Sequence, residues 1–316
     1  ARARWRGAMT GGSDGQSSLG IVARGCLMGA ADIVPGVSGG TMALITGIYG
    51  RLLNALGHVP EATLILVRRR SLADAFRRVD GAFLLLLLTG ILISVISLAH
   101  GIGYLLEHHE RLVRGFFFGL VVGAILHVGR QVPRWHSPAF IGLTLGTLLA
   151  WGITQLTPAT LGLTPLIAFG AGFIAISAMI LPGISGSFIL LLLGLYEPVL
   201  AAVRGAELAI LALFALGCAL GLVAMARAVS ATLARYPSAA LATLAGIMLG
   251  SLTNLWPWRV LPPDAMVHDN LGPLHYAQVT GEPHQLLPVM VVLLTGAGLV
   301  MLLERFSGSD VAVSGE

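Results

Sequence analysis

From residue 81 to residue 106 the chain carries no Asp, Glu, Lys or Arg. Such a run has one stable setting: a helix of about 20 residues crosses the roughly 30 Å core of a bilayer with its backbone bonded internally. Five more stretches of this kind lie at residues 115–129, 138–157, 208–226, 236–258 and 283–303. Charged residues make up only 11% of the chain, against about 25% in a water-soluble domain. A cytosolic enzyme, a secreted disulfide scaffold and a nucleic-acid module are excluded on this ground. The expected fold class is an all-α polytopic membrane protein. Net charge is +4, but every basic residue is Arg and most lie between apolar stretches. That is a topology signal, not a nucleic-acid patch. Cys26 and Cys218 form no disulfide or zinc pattern.

Two segments depart from the ordinary span. Residues 19–57 and 166–203 are each broken near the middle by Pro-Gly, in DIVPGVSGGT (residues 32–41) and MILPGISGSF (residues 179–188). Proline removes a backbone donor and glycine loosens the chain. The arm before each break is about 16 residues, or roughly 24 Å of helix, short for a crossing. Each segment is expected to be a re-entrant helical hairpin; two full crossings would preserve the same parity. With zero net crossings per hairpin and a cytoplasmic N-terminus, fourteen arginines fall inside. Arg111, Arg114, Arg204 and Arg259 fall outside, and Arg24 lies within a hairpin. The excess agrees with the positive-inside rule and places both termini in the cytoplasm.

The broken segments match each other. Pro35 aligns with Pro182, Gly36 with Gly183, Ser38 with Ser185, Gly39 with Gly186, Gly47 with Gly194 and Tyr49 with Tyr196. Further on, Gly119 and Gly123 match Gly246 and Gly250. The chain therefore divides into a polar tail (1–18), a first repeat (19–157), a second repeat (158–305) and a C-terminal tail (306–316). Each repeat is a hairpin plus three transmembrane helices. The first also has a basic cytoplasmic loop at 58–80, and the second an outer loop at 258–283. Three spans between the hairpins put them on opposite faces, so two inverted repeats are expected, as in many secondary transporters.

Irregular backbone survives in a bilayer only inside protein or beside a polar cavity. Each tip opens a new helix, whose unpaired N–H groups favour an anion. Gly36, Ser38, Gly39, Gly40 and Thr41, with Gly183, Ser185, Gly186 and Ser187, form the expected phosphate-binding set. The competing reading is that small residues merely permit tight helix packing. Arg24 and Asp32 lie on one face of the first hairpin, eight residues apart. Arg24 is expected to neutralise phosphate, and Asp32 to take up a proton or cation; structural pairing or snorkelling is the alternative. Glu197 is a second candidate for coupling. Tyr49 and Tyr196 read as interface anchors. His108 and His109 read as a solvated outer turn, and His100 and His127 as hydrogen-bonded core histidines, with proton carriage the alternative. No metal or cofactor motif is present.

GAADIVPGVSGGTMALITGIYGRLL (residues 29–53) and SAMILPGISGSFILLLLGLYEPVL (residues 177–200) resemble the bacterial polyprenyl-phosphate transporter family. RGFFFGLVVG from Arg114 and LGSLTNLWPW from Leu249 are similar to it as well. The resemblance implies an inner-membrane flippase, not an enzyme, that returns undecaprenyl phosphate from the outer to the cytoplasmic leaflet. It implies roles for Asp32, Pro35, Gly36, Ser38, Gly39, Gly40, Thr41, Pro182, Gly183, Ser185, Gly186 and Ser187. Gly50-Arg51 departs from the Tyr196-Glu197 pattern, so Glu197 has no symmetric partner. The implied partners are the lipid, the membrane and a coupling proton or sodium ion; a homodimer is left open. The rival readings are an undecaprenyl-diphosphate phosphatase, whose Pro-Gly-x-Ser loop carries an arginine where Gly39 and Gly186 stand here, and a small-anion carrier.

Overall fold

The computed structural model describes residues 17–34, 37–159, 161–261 and 269–309. Pro35, Gly36, most of the N-terminal tail, residues 262–268 of the expected outer loop and residues 310–316 lie outside the described residues. The described chain is a multi-pass helical membrane protein. Among the described residues, five helices are long and apolar enough to span, and a bent pair raises the number to six.

The first broken segment comprises α1 (Ser18–Ile33), α2 (Gly39–Ile45) and α3 (Tyr49–Gly57). The basic stretch forms α4 (Val59–Arg69) and α5 (Leu72–Arg78). Then come α6 (Gly81–Gln131) and α7 (Ser137–Thr154). The second segment is α8 (Pro165–Ile180), α9 (Gly186–Leu192) and α10 (Tyr196–Arg204). It leads into α11 (Leu208–Arg235) and α12 (Pro237–Ser251), which ends in a 3-10 turn at Leu252–Leu255. A two-stranded ribbon, β1 (Arg259–Val260) with β2 (Asp269–Asn270), precedes α13 (Pro273–Thr280) and α14 (Leu286–Ser309).

Both broken segments obey the same local rules. Ser17 and Thr164 cap the starts of α1 and α8. Val34 and Leu181, each preceding a proline, are extended and end those helices, because a following proline disfavours helical backbone. One expectation needs correction: the return arm is not a single helix. It breaks again at Gly47 and Gly194, whose φ values of 74° and 67° are left-handed, a conformation cheap only for glycine. Across the second of these breaks, α9 and α10 diverge by 105°.

Two more expectations are corrected. The loop at 58–80 is the helical pair α4 and α5, with Arg70 in a left-handed C-cap and Ser71 capping α5. Glu61 ties it down by ion pairs to Arg78 and Arg227. The expected outer turn at His108 and His109 is a kink inside α6, where only His109 leaves helical geometry (φ −137°, ψ 37°). The flanking charges do not end the helix, because Glu110 and Arg114 pair one turn apart. At 51 residues, α6 is about 77 Å long, enough for two crossings that meet at the kink.

Helix pairs close on glycine. A methyl on Gly25 would strike the Leu87 carbonyl, and one on Gly172 the Phe214 carbonyl, so α1 and α8 pack alike on α6 and α11. Later helices pack back on earlier ones, α14 on α6 and α12 on α7. Gly119 on α6 abuts Leu293 of α14, and Gly246 on α12 abuts Leu143 of α7. In return, Gly296 of α14 meets Phe116, and Gly146 of α7 meets Thr243. Element lengths match too: α1 and α8 have 16 residues, α2 and α9 seven, and α3 and α10 nine.

Candidate functional site

The two tips meet. Because Pro182 has no N–H, the last carbonyls of α8 need partners from outside the helix. The first segment supplies them. The Ser38 hydroxyl donates to the Met179 carbonyl at 3.1 Å, and the Tyr49 hydroxyl donates to the Ile180 carbonyl at 3.1 Å. In the other direction, the Gly183 N–H donates to Thr41 Oγ1 at 3.0 Å. Gly40 permits this approach: a Cβ there would lie 2.8 Å from the Ile180 carbonyl oxygen. Ser38 and Thr41 have no exposed surface. Ser38 also caps α2 by accepting from the Gly40 N–H.

The Asp32 carboxylate accepts the Gly39 N–H at 2.7 Å. A protein carboxylate thus sits where an anion was expected at the start of α2. The position matching Asp32 in the second segment is Met179, which offers no such group. At the second tip Ser185 makes no side-chain cap. Its hydroxyl lies 2.8 Å from that of Ser187, with Ser187 exposed and Ser185 half-buried. Gly183, at φ 91°, is buried against Met248 and Ser251 of α12, and Gly186 packs on the Ala175 carbonyl.

Not every expected residue reaches the tips. Arg24 lies eight residues from Asp32, about 12 Å along α1. Its Nε donates to the Thr46 carbonyl at 3.3 Å and its Nη1 to the Gly20 carbonyl at 3.2 Å. A cation at the last carbonyls of α2 complements the helix dipole. Glu197 is exposed on the first turn of α10, beyond α9. Tyr49 is not an interface anchor: it is 3% exposed and bonded between the tips, whereas Tyr196 is 39% exposed. Gly36 lies outside the described residues. Sequence reasoning missed Ser251 and Met248 as the wall behind Gly183; the matched GxxxG, with Ser251 directly after Gly250, was the available signal.

A family model described as undecaprenyl phosphate translocase-like matches residues 28–268. The polyprenyl-phosphate transporter of Vibrio cholerae is 41% identical over 293 residues, covering 90% of this chain and 95% of the relative. The polyprenyl-phosphate transporter of Staphylococcus aureus is 30% identical over 254 residues, covering 75% of this chain and 85% of the relative. No solved structure matches the chain. With the matched region running from α1 through both broken segments, the protein belongs to the undecaprenyl phosphate translocase-like family.

Proposed function

We propose that this chain is a transporter, not an enzyme, and that it carries a polyprenyl phosphate across the membrane with the phosphate received at the second tip. The observation that carries the reading is the contact between the tips, with the Ser185 and Ser187 hydroxyls left facing each other at its accessible side. Gly183 and Gly186, packed against α12 and α8, fix the turn that presents the two hydroxyls, and these replace part of the headgroup's hydration. Ser38, Gly39, Gly40 and Thr41 hold the second segment in place, and Arg24 secures the far end of α2. The substrate is undecaprenyl phosphate, returned from the outer to the cytoplasmic leaflet of the bacterial inner membrane.

The packing of α14 on α6 and of α12 on α7 supports two inverted repeats related by a pseudo-two-fold axis, each beginning with a re-entrant hairpin. In that frame both termini and the arginine-rich α4 and α5 are cytoplasmic. Asp32, an ionisable group within a broken helix, is the coupling residue for a proton or sodium ion. Glu197 belongs to the periphery.

The test is a proteoliposome assay with a fluorescent polyprenyl phosphate, measuring the fraction accessible to a membrane-impermeant quencher. The double variant Ser185→Ala and Ser187→Ala is expected to lower the rate by roughly tenfold, as hydrogen bonds to a charged group predict. Wild-type transport by a folded double variant would refute the second tip as the site.

A further inference from the structure

A second basic feature lies at the end of the molecule away from α4 and α5. The first arm of α6 carries the chain from α5 to the His109 kink, and Arg114 follows one turn later. Arg259 lies in β1, just beyond the 3-10 turn that ends α12. Both guanidiniums converge on the Asn254 carbonyl, Arg114 Nη1 at 3.0 Å and Arg259 Nη1 at 3.4 Å. Glu110 engages Arg114 at 2.7 Å from Nε and 2.6 Å from Nη2. Arg111, one turn back, is occupied by Glu282 at 2.9 Å, the Pro283 carbonyl and the face of Tyr276.

Arg259 is left over. Among the described residues no carboxylate lies within ion-pair distance of it, and its Nε is buried without an acceptor. Burial, with the Arg114 charge beside it, holds its pKa down to about 10, so it remains charged at neutral pH. Two guanidiniums facing one carboxylate leave a net positive charge. Arg259 is half-buried and, among the described residues, bonded only to the Asn254 carbonyl, and a guanidinium so incompletely matched by protein acceptors favours an anion. A guanidinium fork suits phosphate oxygens in particular. The neighbouring wall is aromatic: Trp256 packs edge-on against Phe118 and Trp258, as befits the depth where a headgroup gives way to acyl chain.

The location links this cluster to the second tip. Ser251, whose Oγ would lie 2.7 Å from a Cβ on Gly183, is three residues before Asn254. At the 3-10 rise those residues span about 6 Å. We infer that Arg259, backed by Arg114, docks a phosphate monoester anion next to the second tip. The inference deepens the transport reading and rests on it for the identity of the lipid, not for the anion chemistry.

The experiment uses the full chain in nanodiscs of neutral lipid. It measures affinity for undecaprenyl phosphate and, separately, for inorganic phosphate. Four proteins are compared: wild type, Arg259→Gln, Arg259→Lys and Ser187→Ala. Arg259→Gln is expected to bind either phosphate roughly tenfold more weakly, with an unchanged melting temperature. Arg259→Lys keeps the charge but not the fork and is expected to fall between. If Arg259→Gln does not fold, the lysine variant decides, and wild-type affinity in it overturns the inference. Undiminished binding by folded Arg259→Gln also overturns it, and if Ser187→Ala then loses lipid binding the transport reading survives alone. Inorganic phosphate held by wild type and lost in Arg259→Gln, with no lipid binding by any protein, sustains the anion site and removes the lipid reading.

Discussion

At the first tip Ser38 and Thr41 are fully buried, and each hydroxyl is bonded across to the second segment. At the second tip Ser185 is half-buried, Ser187 is exposed, and the two hydroxyls bond to each other. The motifs are nearly the same, and their uses differ. Three substitutions in register account for this. Asp32 against Met179 supplies or withholds a carboxylate at the helix start. Gly40 against Ser187 opens or closes the approach to α8. Thr41 against Phe188 offers or removes an acceptor for Gly183. One copy of the motif is bonded across to its neighbour and the other keeps its hydroxyls accessible, so likeness of motif does not carry likeness of use.

If the first tip is a brace, changes there lower stability; if the second is a receptor, changes there lower transport and leave stability alone. Gly40→Val is expected to have the largest effect. Its side chain presses on the Ile180 carbonyl, and overpacking of this kind costs about 3 kcal/mol, read as a lower melting temperature of the purified protein. Thr41→Val comes next. It leaves the Gly183 N–H buried without an acceptor, at about 2 kcal/mol, and thermal unfolding with retained secondary structure before the transition checks it. Asp32→Asn keeps an acceptor for Gly39 but removes the charge, for about 1 kcal/mol. Transport by this variant separates brace from coupling residue: loss of dependence on the ion gradient is expected, and an unaltered dependence removes Asp32 from coupling. Ser187→Ala is expected to shift stability by no more than about 0.5 kcal/mol while slowing flux in the proteoliposome assay. A large fall in its melting temperature would erase the distinction between the tips.

The sequence made the breaks legible because proline and glycine act locally. Val34 and Leu181 had to leave the helix whatever surrounded them. The same logic located the GxxxG faces, since only a small residue lets two backbones touch. It did not show which helix would press on Gly119, because that partner is Leu293, far along the chain. Ser38 and Thr41 stood out as hydroxyls at a helix start. Nothing local told whether they would face a ligand or the backbone of the second segment, where Ser38 meets the Met179 carbonyl and Thr41 the Gly183 N–H. Arg24 and Asp32 share a helical face in sequence, yet Arg24 caps the far end of α2 because that is where unpaired carbonyls lie within its reach. The run from Glu107 to Arg114 reads as an outer turn because its charges interrupt two apolar stretches. Its Glu, Arg and Leu are good helix formers, and the helix bends at one histidine without stopping.

The packing of α7 on α12 and of α14 on α6 bears on biogenesis. When the first half has left the ribosome, the glycine face at Gly119 and Gly123 has no mate, and α7 has yet to meet α12. Of the described helices, the one that fills the earlier vacancy is synthesised last. Assembly in the bilayer therefore cannot proceed as two successive modules: the early helices must wait, loosely held or chaperoned, until α14 locks them, and a half-length fragment would be a target for membrane proteases.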